Sequence, residues 1–235
     1  MYPVAVLAGG LGTRLRELSG DDLPKALLPL LGRPFIDWKL AGLAAAGVQQ
    51  VVLLVGHRAD QIRAHVGDGA RFGVEVRCID DGPQLLGTGG ALRRALPELP
   101  DTFWVTYGDS LLEVDLRAAQ STLEGSPRHS LMTVLHNRDR WQPSNVVVDR
   151  GVVVAYHKDP PPPAAQHIDY GMLLLHRRAW DSFTDDLPFD LADVLAPLVE
   201  ARQLAAYEVS SRFHDIGTPD AVRETESFLR TLSAT

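Results

Sequence analysis

The chain has 235 residues, is 45% hydrophobic and carries a formal net charge of −7 at pH 7, which suits one soluble domain with a sizeable core. An acidic balance without a basic cluster excludes an extended nucleic-acid footprint and leaves room for one local anion pocket, so small-molecule partners are expected. The single cysteine, Cys78, excludes an internal disulfide framework, and no apolar run reaches the roughly 18 residues of a membrane span.

The opening, MYPVAVLAGG, lacks the charged and long apolar regions of a secretion signal, so a cytoplasmic protein with no membrane partner is expected. YPVAVLA reads as a buried strand, and PFIDWKLAGLAAAG as a helix begun by Pro34 and stopped by Gly47. VVLLV (51–55) followed by RADQIRAHVG repeats the unit, as does VEVRCI (74–79) followed by TGGALRRALPEL. FWVTYGDS supplies a further strand that ends at Asp109. Strands alternating with helices predict an α/β fold with a Rossmann-like first half.

After about Ser130 the texture changes. SLMTVL, SNVVVD, VVVAYHK and DYGMLLLH are short strands with few helices between them, so antiparallel additions carrying a substrate pocket are expected. DPPPPAA (159–165) is an extended surface loop. TPDAVRETESFLRTL returns to helix, with Thr218 as N-cap and Pro219 at the first helical position. There is no internal repeat and no domain-sized linker, so residues 1–235 are read as one domain.

The stretch VAVLAGGLGTRLREL runs an apolar strand into glycines and then two arginines. Glycines there let bare N–H groups approach a phosphate, and the arginines require an anion. A P-loop would need a lysine directly after the second glycine, which Gly12 lacks. A dinucleotide fingerprint would need glycine where Leu15 stands.

What remains, LAGGLGTRLRELSGDDLPKALLPLLGRP, resembles the signature of the sugar-1-phosphate nucleotidyltransferase family, with Arg14, Pro24, Lys25 and Pro29 on its pattern. LLGTGGALRRAL, YGDS, YHKDP, IDYGM and HDIGTP continue the resemblance in order along nearly the whole chain. Within the family, LGTGGAL and HIDYGMLLLHRRAW look most like the branch that joins GTP to a heptose 1-phosphate.

The resemblance implies a three-layer α/β/α fold with a mixed, mostly parallel central sheet and a small β-rich sugar-binding part. Residues 1–129 would bind the nucleotide, and 130–235, ending in a helix, the sugar phosphate. The implied reaction is NTP plus sugar 1-phosphate giving NDP-sugar and pyrophosphate, by Mg²⁺-dependent in-line attack on the α-phosphorus. Two anions must meet, so positioning and positive charge do the catalytic work.

On this resemblance the nucleotide is met by Leu7, Ala8, Gly9, Gly10, Gly12 and Thr13, with Arg14 on the β- and γ-phosphates and Lys25 near the α-phosphate. Gly87, Thr88 and Gly89 line the base. Asp109, at a strand's carboxyl end where open sheets bind ligands, would share Mg²⁺ with Asp215. Arg14, Lys25 and Asp109 form the catalytic set. Lys158 matches the lysine that grips the sugar phosphate, although His157 stands where the family usually has glutamate and Asp159 separates the lysine from Pro160. Asn145, Asp169, Tyr170 and Gly171 are candidates for sugar hydroxyls. Tyr107 replaces a usually small or amide residue and is expected to reshape a pocket.

Each of these residues also has a plain role open to it. An Asp after a strand caps or turns, and a Thr before a helix caps it. The scattered histidines have no metal-ligand spacing, and the tryptophans are assigned to packing, with Trp141 the best ligand-facing exception. Two other functions stay open. One is the same transfer from UTP, dTTP or CTP to a hexose 1-phosphate, a muramic acid phosphate or phosphocholine. The other is a nucleotide-sugar sensor without turnover. The sequence does not set the oligomeric state.

Overall fold

The computed structural model describes residues 1–10, 12, 23–82, 86–183 and 188–233. In chain order come β1 (Val4–Leu7), the hairpin β2 (Pro29–Leu30) and β3 (Arg33–Pro34), α1 (Phe35–Ala45), β4 (Gln50–Val55) and α2 (Ala59–Val66). β5 (Glu75–Asp80), α3 (Gly87–Ala95), β6 (Thr102–Tyr107), β7 (Ser110–Leu111) and α4 (Leu116–Glu124) follow. The later part holds β8 (Ser130–His136), β9 (Val146–Asp149), β10 (Val152–Tyr156) and β11 (His167–His176). It closes with α5 (Leu191–Glu200), β12 (Leu204–Val209), β13 (His214–Asp215) and α6 (Pro219–Ser233).

The first strands are almost wholly apolar because both of their faces are covered. Val4, Val6, Leu53 and Trp104 pack with α1, α2 and α4 on one side of the sheet. Their alternating neighbours Ala5, Leu54, Phe103 and Val105 pack with α3 and α5 on the other. The period of two along each strand therefore divides one sequence between two cores.

Nine of the described strands form one sheet in the order β5-β4-β1-β6-β11-β8-β12-β10-β9. β5, β4, β1 and β6 are parallel neighbours, as the alternation of strands and helices requires. The sheet is mixed rather than mostly parallel: β6 to β11, β11 to β8, β12 to β10 and β10 to β9 are antiparallel, and β8 to β12 adds one more parallel pair. Chain length between strands accounts for this. Only Arg150 and Gly151 join β9 to β10, both at positive φ (48° and 73°), a reversal that can connect only antiparallel neighbours.

Two helices escape the sequence reading. α4 is capped by Asp115, whose side chain accepts from Ala118 N at 3.0 Å. α5 carries an interior proline, Pro197, yet buries Leu191, Val194, Leu195 and Leu198. The last helix behaves as read: Thr218 Oγ1 accepts from Ala221 N at 3.2 Å. Val222 and Leu229 of α6 pack with Leu28, Leu30, Phe35 and Ile216. That packing lays β13 against β7, so Asp215 faces Ser110 across the ladder.

Among the described residues no helix is long and apolar enough to cross a membrane. β11 joins the parallel and antiparallel parts, and its Leu174 is fully buried opposite Trp104 of β6 and Leu131 of β8. Leu174→Ala is expected to lower unfolding free energy by about 2–5 kcal/mol in urea denaturation, the cost of a core cavity.

Candidate active site

The carboxyl ends of β1, β4, β5 and β6 lie along one edge of the sheet, where open α/β sheets take their ligands. A cavity of about 370 Å³ opens there, bounded by Leu7, Ala8, Gly9, Gly10 and Gly12 on the loop side. Gly87, Thr88, Tyr107, Asp109 and Lys25 complete most of its wall. Of the expected nucleotide contacts, Thr13 and Arg14 lie outside the described residues.

At the centre, Lys25 Nζ stands 2.6 Å from Asp109 Oδ2, their side chains 15% and 39% exposed. The pair joins residues 84 positions apart. The backbone there is fixed by its neighbours: Gly108 N donates to Leu7 O (2.8 Å), and Ile216 N to Asp109 O (2.9 Å). The second bond brings Asp215 beside Asp109.

Asp215 Oδ1 accepts from Gly217 N at 2.7 Å and Oδ2 from Gln142 Nε2 at 3.3 Å. Among the described residues no group of three or more His, Cys, Asp or Glu side chains gathers to hold a metal ion. Two carboxylates on hydrogen-bonded neighbouring strands do fit an ion that completes its shell with phosphate oxygens and water, as Mg²⁺ does.

The glycines before and within α3 have a duty the sequence did not reveal. A Cβ on Gly87 would run into Phe189 O, and one on Gly89 would lie 2.7 Å from Asp190 O. Gly89 N donates to Phe189 O at 3.0 Å, and Thr88 Oγ1 accepts from Leu191 N at 2.8 Å. These residues dock the start of α5 on the start of α3, while Gly87 and Thr88 still face the cavity and Gly89 does not.

The sugar-side candidates gather around a register shift in β11, between Asp169 and Leu173. Gly171 sits there at φ 90°, a left-handed value glycine tolerates. Asp169 Oδ1 accepts from Gly171 N (3.0 Å), its Oδ2 accepts from Tyr156 OH (3.1 Å), and its N–H donates to Asn145 Oδ1 (2.9 Å). Burial raises the Asp169 pKa, with Lys158 the leading opposing influence.

Lys158 leans on Tyr107, Nζ to OH 3.3 Å and 5.1 Å from the ring centre. Burial, then Asp169, Asp109 and Asp190, keep the Tyr107 phenol protonated. Tyr107 thus joins the cavity to the Lys158 and Asp169 group. Tyr170 points elsewhere: its ring packs with Leu135, Ile168 and Val209, and its hydroxyl accepts from Glu113 N at 3.2 Å. Trp141 also packs at that cluster, flanked by the guanidinium groups of Arg140 and Arg212.

Sequence reasoning missed Lys39, although a lysine amid the apolar run PFIDWKLAGL was its signal. Only 3% exposed, Lys39 donates to Thr106 Oγ1 (2.9 Å) and Ser110 O (2.7 Å), clamping the turn that carries Asp109 from both sides. Burial pulls its pKa down to about 7, against the attraction of Asp109. Asp81, after β5, was also missed, although it follows a strand just as Asp109 does.

The profile of the family described as "Nucleotidyl transferase" matches residues 4–231, and the chain belongs to that family. It is 30% identical over 234 residues to a UTP–glucose-1-phosphate uridylyltransferase of Synechocystis, covering 92% of this chain and 60% of that one. It is 26% identical over 216 residues to a D-glycero-alpha-D-manno-heptose 1-phosphate guanylyltransferase of Campylobacter jejuni, covering 92% and 94% of the two chains. The crystal structure of HddC from Yersinia pseudotuberculosis complexed with GMP-PN superposes with a TM-score of 0.80 at 26% identity, over 97% of this chain and 100% of that one. The chain thus spans less than two thirds of the Synechocystis relative and nearly all of the other two.

A lysine whose folded pKa lies below its unfolded value releases its proton on folding in the interval between them. There the unfolded chain binds the extra proton, so stability rises with pH. Between pH 7.5 and 9.5 this group is expected to contribute a slope of about 1.4 kcal/mol per pH unit, read by urea unfolding. Lys39→Met should flatten it.

Proposed function

We propose that the protein is a cytoplasmic enzyme that transfers a nucleotidyl group from an NTP to a sugar 1-phosphate and releases pyrophosphate, with GTP and a heptose 1-phosphate as the favoured pair. The observation that carries this reading is the Lys25–Asp109 pair, 2.6 Å apart in the glycine-lined cavity at the strand ends. Family membership supports the reaction class. The Campylobacter relative, matched along 94% of its length, supports the substrate pair.

In the reaction, a phosphate oxygen of the sugar 1-phosphate attacks the α-phosphorus while the bond to the β-phosphate's bridging oxygen breaks, and that electron pair leaves with pyrophosphate. No covalent enzyme intermediate is needed. Lys25 is assigned to the non-bridging α-oxygens, where a compact ammonium stabilises the charge that builds during attack. Mg²⁺ held by Asp109 and Asp215 would neutralise charge on the triphosphate. Arg14 is assigned to the β- and γ-phosphates.

Lys158 is assigned to the sugar phosphate. Its ammonium lies over the ring of Tyr107, which lines the cavity. Asn145, Asp169 and Gly171, which are hydrogen-bonded to one another, are assigned to sugar hydroxyls. The oxygens of Asp169 already accept from Gly171 and Tyr156, which holds the carboxyl group in one orientation.

Pyrophosphate release across the common NTPs and a panel of sugar 1-phosphates tests the assignment, and a panel without any reacting pair favours a sensor instead. Lys25→Ala is expected to lower kcat by about 10²–10³-fold, the usual cost of a lost transition-state donor, with a smaller change in KM for the NTP. An unchanged kcat would remove Lys25 from the chemistry. Asp109→Asn should lose at least about 10²-fold in rate at millimolar Mg²⁺, since a carboxamide is a poor ligand for a hard cation.

A further inference from the structure

Lys39 has no task in this reaction, yet its burial is costly. The inward face of α1 carries Phe35, Ile36, Leu40 and Leu43, all buried, and Lys39 lies among them. An ammonium taken out of water there costs far more than a leucine or methionine would, unless it is well bonded. Among the described residues that wall the nucleotide cavity Lys39 is absent; it borders a second cavity, of about 400 Å³, with Trp38, Leu111 and Met172. It therefore stands behind the site and acts on a substrate only through other groups.

Its bonds fall on either side of Asp109. Thr106 Oγ1, accepting at 2.9 Å, belongs to β6, and Ser110 O, accepting at 2.7 Å, follows Asp109 directly. Between these anchors the backbone is tied again by Gly108 N to Leu7 O and by Ile216 N to Asp109 O. The Asp109 carboxylate itself has one bonded partner among the described residues, Lys25. Asp215 differs, since its carboxylate accepts from both Gly217 N and Gln142 Nε2. Lys25 is assigned to the α-phosphate, so once a nucleotide engages it the turn alone sets where the Asp109 carboxylate points.

We propose that Lys39 is a positioning residue for the metal site: its ammonium, bonded on both sides of Asp109, holds that carboxylate where it meets the divalent ion of a bound NTP. The inference rests on the nucleotidyltransferase reading above, in which Asp109 and Asp215 hold Mg²⁺. An ion that demands near-octahedral geometry tolerates little misplacement of a ligand. Groups that orient a metal ligand from behind typically carry about 10–100-fold in metal affinity or activity.

The test is calorimetric titration of an NTP into the full chain, in millimolar Mg²⁺ and again in EDTA, using whichever of GTP, UTP and dTTP binds tightest. The ratio of the two dissociation constants measures what the ion contributes to binding. Lys39→Met keeps an unbranched side chain and removes the donors. It is expected to shrink that ratio by about tenfold or more and to leave binding in EDTA unchanged. Thr106→Val removes one acceptor at nearly the same shape and should shrink the ratio less. In the double variant it should add nothing to Lys39→Met, because its donor is already gone. Turnover should follow, with the Lys39→Met rate falling at limiting Mg²⁺ and recovering as Mg²⁺ is raised.

Leu174→Ala separates positioning from lost stability, since it opens the core without touching a bond to the turn. If it shrinks the ratio as Lys39→Met does, the effect is one of stability and the proposal fails. An unchanged ratio in Lys39→Met overturns it, and so does a wild type whose NTP affinity ignores Mg²⁺. Should Lys39→Met not fold, Thr106→Val decides by the same ratio. If no NTP and sugar 1-phosphate pair turns over, the reaction assignment fails and the calorimetric ratio still decides the role of Lys39. A chain that binds no NTP overturns both.

Discussion

An ammonium and a carboxylate 2.6 Å apart, drawn from a loop after β1 and a turn after β6, are the contact around which the molecule is organised. Both partners border the cavity, so the contact is open to a ligand that enters there. The surrounding structure holds the two backbones in place: β1 and β6 are parallel neighbours, Gly108 N is bonded to Leu7 O, and Lys39 grips the far side of the turn. The opposed charges therefore meet over a frame whose backbone bonds and Lys39 contacts hold them in register.

The two ends of the chain meet at the same place. α6 packs on residues 28–35, next to Lys25 in sequence, and the strand before it carries Asp215 to the side of Asp109. The last helix thus acts on the site through apolar burial and through Thr225 Oγ1, which donates to Asp215 O at 2.6 Å. Ile216, fully buried, packs in one cluster with Leu28 and Phe35 and with Val222 and Leu229 of α6.

Tyr107 has the corresponding place between the nucleotide cavity and the sugar-side residues. It closes the β6 edge, touches Lys158, and lies 3.4 Å from the position of a Cβ on Gly171. A small residue there would leave the cavity open toward β11.

The residue order was enough to show the repeated strand and helix units and the capped last helix, because these are local patterns of period and punctuation, and it singled out Lys25 and Asp109, which the fold brings to 2.6 Å. It was not enough to show that β8 and β12 pair in parallel within the antiparallel part, that Gly87 and Gly89 serve the approach of Phe189, or that Tyr170 turns into a core while Asp169 beside it bonds Tyr156 and Gly171. Alternation along a strand separates neighbours onto opposite faces, but which face meets ligand depends on what packs against the other. Lys39 shows the same limit: a charged residue in an apolar run is visible in the sequence, while the acceptors that hold it, Thr106 and Ser110, arrive only when distant segments close around it.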